Sequence, residues 1–249
     1  GDVKPVGSMM KRAIVIGASS GIGKEVAQNL INEGWTVGLA ARRDGLMLSM
    51  MHATPDRVKV AKIDVNASNA ADELNKLIKR IGGMDLFFYA AGIGKQSREL
   101  VEEPELATVR TNALGFTRMI GVAYRYFAEK GEGHIAAITS IAGTKGLGPA
   151  PAYSATKAMQ NVYLQALDQQ AHQRGLNIKF TDIRPGFVDT ALLSGDFKDP
   201  MMLKPEQVAK DIMSAIKSEK HIVVIDWRYH LLTMFWRRIP RWIWRRFKL

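Results

Sequence analysis

Seven short apolar runs rich in β-branched residues constrain this chain more than any other feature. They occupy residues 13–16, 36–41, 58–63, 86–90, 135–139, 178–183 and 221–225, each closed by a turn signal. The segments between them are long enough for helices and repeat their apolar residues at helical spacing, as in Val26, Leu30 and Ile31, or Leu74, Leu77, Ile78 and Ile81. Strands that alternate with helices form right-handed βαβ units, and such units build a parallel sheet covered on both faces. The expectation is therefore a single doubly wound, Rossmann-like α/β sheet of about seven strands. No proline-rich linker or shift in composition divides residues 11–226, so residues 9–226 are expected to form one domain. The preceding residues 1–8 (GDVKPVGS) lack periodicity and read as a remnant of expression.

With 47% hydrophobic residues, 22 Gly and 9 Pro among 249, the chain is neither disordered nor collagen-like. Zero Cys excludes disulfides, thiolate metal sites and a cysteine nucleophile. The five His are scattered without ligand spacing, so no metal is expected. Net charge is +11, from 35 Lys+Arg less 24 Asp+Glu. Residues 227–249 hold six Arg, one Lys and no acid, which is +7 and leaves +4 for the rest. The same segment holds four of the five Trp: Trp227, Trp236, Trp242 and Trp244.

A glycine turn, Gly17-Ala-Ser-Ser-Gly21-Ile-Gly23, closes the first strand and opens a helix. Gly17 suits a tight turn, Gly21 lets the backbone approach a pyrophosphate, and Gly23 permits close helix–strand packing. The helix N-terminus offers free N–H groups to phosphate. In NAD sites a carboxylate about 20 residues on holds the ribose 2′-hydroxyl. Here Arg42 and Arg43 stand at that point and no carboxylate occurs between Gly34 and Arg43. Two guanidinium groups suit a 2′-phosphate, so NADP(H) is expected over NAD.

Ser140 ends the fifth strand, and thirteen residues later comes Tyr153-Ser-Ala-Thr-Lys157. Tyr153 and Lys157 are four apart, so they share one helix face. An ammonium beside a phenol favours phenolate, which lets Tyr exchange a proton near neutral pH.

On these residues the chain resembles the short-chain dehydrogenase/reductase family over residues 11–226. The family's Thr-Gly-x-x-x-Gly-x-Gly reads Ile16-Gly17-Ala-Ser-Ser-Gly21-Ile-Gly23 here, with Ile16 replacing Thr. The resemblance implies a catalytic set of Asn112, Ser140, Tyr153 and Lys157, with Asn112 positioning a water that links Lys157 to solvent. It implies cofactor contacts from Gly17, Ser19, Ser20, Gly21, Ile22, Gly23, Arg42, Arg43, Asp64, Val65, Ala91, Gly92, Tyr153, Lys157, Pro185, Gly186, Val188 and Thr190. One departure is Tyr89-Ala90-Ala91-Gly92 in place of Asn-Asn-Ala-Gly, which removes polar bonding at Ala90 and predicts a locally altered cofactor pocket.

The family covers its substrate with the segment after Pro-Gly, here residues 187–204. Phe187, Leu192, Leu193, Phe197, Met201, Met202 and Leu203 make that segment mostly apolar, and residues 144–151 are also short of charge. An apolar ketone or alcohol is the expected substrate. Residues 231–249 read as an amphipathic helix with Leu232, Phe235, Trp236, Ile239, Trp242, Ile243 and Phe247 on one side and a kink at Pro240. A basic, Trp-rich tail of this kind suits an anionic membrane surface, at about 1 kcal/mol per basic residue. Packing on a partner subunit or over the chain's own pocket are the alternatives, and nucleic acid is not expected. The reading is thus an NADP-dependent carbonyl reductase or alcohol dehydrogenase, a homodimer or homotetramer, cytoplasmic and peripheral to a membrane. Its rivals are a non-catalytic NADP-binding sensor or scaffold, and a soluble reductase of small or acyl-carrier-bound 3-keto groups.

Overall fold

The computed structural model describes residues 11–94, 96–186 and 203–248. The expectations for residues 1–8, for Val188 and Thr190, and for most of the apolar segment 187–204 lie outside them. Seven strands, β1 (Arg12–Ile16), β2 (Thr36–Ala41), β3 (Val58–Lys62), β4 (Leu86–Tyr89), β5 (Glu132–Ile138), β6 (Asn177–Arg184) and β7 (Ile222–Val224), form one sheet. Every pair is parallel and the order is β3-β2-β1-β4-β5-β6-β7. Chain order reverses between β1 and β4, and a doubly wound sheet binds ligands outside the strand C-termini at such a switch point.

Alternation along the strands assigns the two faces. Ile14, Ile16, Phe87 and Tyr89 point to one face, where α3 (Ala70–Arg80), α5 (Phe116–Lys130) and α6 (Pro151–Gln173) supply Leu74, Leu77, Met119, Ile120 and Leu164. Ala13, Val15, Leu86 and Phe88 point to the other, packed by α1 (Gly21–Asn32), α2 (Gly45–Ala53) and α7 (Pro205–Lys217) through Val26, Leu30, Met47, Ile212 and Ile216. Burial on both faces explains why the strands read as continuous apolar runs.

Three features shape the site. Between α4 (Glu102–Val109) and α5 the chain widens into a π-helical stretch, Arg110–Gly115, which carries Asn112. Single π turns inside helices accommodate one extra residue and re-aim a side chain. A 3-10 turn, Ile141–Thr144, follows β5. Finally, α8 (Trp227–Arg238) and α9 (Arg241–Trp244) follow β7.

The tail differs from the single helix expected over 231–249. The helix starts earlier, at Trp227, where Asp226 caps it by accepting from Arg228 N at 2.9 Å. It ends before Ile239, whose extended backbone is what proline imposes on its predecessor. Apolar residues accordingly fall on two faces rather than one. Tyr229 and Thr233 are buried inward, with Leu232 and Trp236 half-buried beside them, whereas Trp227, Leu231, Met234 and Phe235 face outward at i, i+4, i+7 and i+8. Among the described residues no helix is long and apolar enough to cross a membrane.

Candidate active site

The glycine turn sits at the C-terminal end of β1. Gly17 (φ +85°) and Gly21 (φ +55°) adopt left-handed backbone, and Gly17 N donates to Ala40 O at 2.8 Å. A Cβ on Gly23 would fall 2.1 Å from Gly17 O, and one on Gly17 would fall 2.8 Å from the Ala90–Ala91 peptide. The turn is therefore folded as tightly as main chain allows. Ser20 is the residue before α1, its side chain makes no capping bond, and the first turn holds no acid. The first amides of α1 lack intrahelical partners by geometry, leaving an electropositive cradle that fits a pyrophosphate. Ser19 is half-buried and Ser20 exposed at its rim, with Ile22 half-buried beneath.

Arg42 and Arg43 project exposed from the end of β2, and neither makes an ion pair among the described residues. Asp44, next to them, caps α2 and lies 3.6 Å from Lys62. Asp64 is exposed after β3 and accepts from Asn66 N at 2.9 Å, while Val65 is buried against Gly115. Ala90 packs into the core beside the turn, 3.1 Å from where a Gly23 Cβ would lie. Apolar packing thus takes the place of the lost amide.

The catalytic candidates converge across β4, β5 and α6. Pro151 opens α6, which places Tyr153 and Lys157 on its first two turns. Lys157 Nζ lies 5.6 Å from the Tyr153 ring centre. Ser140 accepts from Ala142 N at 2.9 Å, which leaves its hydroxyl hydrogen for the Tyr153 phenol. Gly92 sits between the groups: a Cβ there would be 3.4 Å from Asn112 Oδ1 and 3.5 Å from Lys157 Nζ. Asn112 is wholly buried and its amide bonds Ile93 at both ends, accepting from Ile93 N at 3.0 Å and donating to Ile93 O at 2.8 Å.

Burial governs the titration of this pair. It pushes the Tyr153 phenol above its ordinary value, and the Ser140 hydroxyl opposes that rise. It pulls the Lys157 ammonium down to about 8, and the Asp182 carboxylate opposes that fall. Asp182 is itself buried, accepting from Thr139 Oγ1 at 2.6 Å and paired with Arg184 at 2.9 Å.

At the edge of the site, Pro185 O accepts from Ile141 N at 3.1 Å, and the Tyr229 ring of α8 packs on Gly186, 2.4 Å from where a Cβ would lie. The tail also holds the loop before α6: Lys145 Nζ donates to Ile239 O at 2.8 Å and Trp244 Nε1 to Gly146 O at 2.7 Å. Several residues here carry no signal in isolation. Gln160, Thr156, Gly94, Asp182 and Tyr229 join the site through tertiary contacts. Only the three-residue spacing from Lys157 could have drawn attention to Gln160.

A glycine cradle thus lies at the switch point, with buried Lys157 beside half-buried Tyr153 beyond it. The family model for short chain dehydrogenase matches residues 11–200. The chain belongs to that family and is an oxidoreductase of it. It is 33% identical over 220 residues, 86% of this chain and 94% of the relative, to an uncharacterised oxidoreductase of Staphylococcus aureus strain N315. Its fold resembles that of a short-chain dehydrogenase from Streptomyces avermitilis at TM-score 0.80, with 23% identity and coverage of 91% and 92% of the two chains. It also resembles an actinorhodin polyketide ketoreductase variant solved with NADPH, at TM-score 0.75, 25% identity and coverage of 87% and 95%.

Proposed function

We propose that this oxidoreductase is an NADP(H)-dependent carbonyl reductase or alcohol dehydrogenase acting on an apolar ketone or alcohol. When bound, NADPH supplies the hydride; the cradle at Gly17–Gly23 would hold its pyrophosphate, and Arg42 and Arg43 its 2′-phosphate. The observation that carries the reading is the buried Lys157 ammonium 5.6 Å from the Tyr153 ring centre, with Ser140 at the end of β5 beside the same phenol. Tyr153 and Ser140 hold the substrate oxygen. Tyr153 Oη gives that oxygen a proton in reduction and removes it in oxidation, while the Lys157 charge favours the phenolate left behind. The apolar residues of 144–151 and 187–204 support an apolar substrate. Exposed Leu106, Val109, Leu114 and Val162 offer apolar surface for a homodimer or homotetramer. Proton transfer by such a group is worth about 10²–10⁴-fold, so Tyr153→Phe should lose that much NADPH-dependent reduction while keeping NADPH binding. Wild-type turnover by that variant would refute the role of Tyr153.

The reading extends to an anionic membrane surface as partner. The outward face of α8 supports it, with Trp227 71% and Phe235 65% exposed, flanked by Arg237 and Arg238 and followed by Arg241, Arg245 and Arg246. A second copy of this basic chain would offer no opposite charge, whereas an acidic lipid surface would. Flotation with phosphatidylcholine vesicles, with and without phosphatidylglycerol, tests it. Binding should need the anionic lipid and fall in Trp227→Ser/Phe235→Ser, and equal flotation of both proteins would remove the membrane as partner.

A further inference from the structure

Gln160 has no part in the resemblance that marks Tyr153 and Lys157, yet it is 0% exposed and touches both of the buried groups that surround the phenol. Its Oε1 accepts from Lys157 Nζ at 3.2 Å, and its Nε2 donates to Asn112 O at 2.9 Å. One side chain therefore spans from the ammonium to the main-chain carbonyl of the π-helical stretch. The rest of the surroundings close around that span. Asn112 Nδ2 reaches Thr156 Oγ1 at 3.2 Å, and Thr156 Oγ1 donates to Tyr153 O at 3.1 Å. A glutamine buried this deeply is costly unless both ends are bonded, and here both are.

The chemistry of an amide limits what this bridge can do. It accepts at oxygen and donates at nitrogen, but it does not pass a proton from one end to the other without leaving its stable tautomer. At the other end of the bridge, the main-chain carbonyl of Asn112 accepts from Gln160 Nε2. We propose that Gln160 is a positioning residue that ties Lys157 to the Asn112 carbonyl and holds its ammonium as a fixed charge beneath Tyr153. It acts through Lys157 and does not touch the reacting atoms. The charged and titratable groups that face Lys157 are Tyr153 on its own helix and Asp182 on β6. Gln160 adds a neutral acceptor that prefers the ammonium over the amine.

This inference rests on the Tyr153–Lys157 reading of the site, and the experiment separates the two. The alkaline limb of kcat for carbonyl reduction is measured in wild type, Gln160→Met, Gln160→Glu and Tyr153→Phe, with melting temperature and NADPH binding recorded for each. Methionine keeps the shape and removes the acceptor, so the limb should move down by about one pH unit. Glutamate keeps the acceptor and adds charge, so the limb should move up. Opposite shifts of one limb are not what a purely structural residue produces. Unshifted or same-direction limbs in whichever of the two variants folds would overturn the role of Gln160, provided Tyr153→Phe is inactive. An active Tyr153→Phe would instead overturn the site reading, and this inference with it.

Discussion

On the β1–β3 side of the sheet edge, the site is made of main chain and missing atoms. Gly17, Gly21 and Gly23 create room, the α1 amides point into it, and the two arginines stand exposed at the rim. On the β4–β6 side it is made of buried side chains whose polar atoms are bonded to one another: Asn112 to Ile93, Lys157 to Gln160, Thr139 to Asp182. The first side is defined by shape and tolerates any side chain that does not intrude. The second is defined by closure of a network, where each group's ionisation depends on its neighbours.

The sharpest way to break the comparison is a methyl group on the shape-defined side. Gly23→Ala would place a Cβ 2.1 Å from Gly17 O, a contact only backbone movement can relieve. We expect loss of NADPH binding by calorimetry together with a fall in melting temperature of several kelvin, about 3 kcal/mol or more. Retained affinity would mean that the cradle is not shaped as described. On the network side, His134 bonds Thr181 Oγ1 at 2.8 Å, and burial pulls its pKa down to about 4. The folded state thus resists protonation that the unfolded chain accepts below about 6.5, so stability is intact above that pH and is lost as pH falls from 6.5 towards 4. Denaturant titration should find about 2–3 kcal/mol lost over that window, and His134→Gln should flatten it.

Arg42→Ser/Arg43→Ser tests the exposed rim. Solvent screening makes the effect modest, about tenfold in KM for NADPH with KM for NADH unchanged. Equal change for both cofactors would place the arginines outside the 2′-phosphate site. The smallest effect is expected at Tyr89, whose buried hydroxyl has no partner among the described residues and whose ring meets Phe116 edge-on at 5.4 Å. Tyr89→Phe should be neutral or stabilise by about 1 kcal/mol in chemical denaturation. A clear loss would show that the hydroxyl is satisfied after all.

The two halves also differ in how much of them sequence reveals. Periodicity placed the seven strands to within three residues at each end, because strands buried on both faces leave unbroken apolar runs. The cradle is legible too, since each glycine answers a local steric demand. The network is legible only at Tyr153 and Lys157, whose spacing puts them on one face. Gln160 reads as an ordinary helical glutamine until the π-helical stretch is brought against it. Likewise the one-sided apolar pattern of residues 231–249 presumes a continuous helix and one partner. Pro240 denies the first, and the body of the fold occupies one face while Trp227 and Phe235 remain on the other.

The seating of Tyr229 on Gly186 joins α8 to the turn where β6 ends. Trp227 and Tyr229 are two residues apart on opposite faces of that helix, one exposed and one seated on the turn. A ligand that displaces the Pro185–Gly186 turn meets the Tyr229 ring, and coupling between two sites has no preferred direction. If occupancy of the cleft changes how strongly the outer face adsorbs, adsorption must change the affinity of the cleft by the same factor.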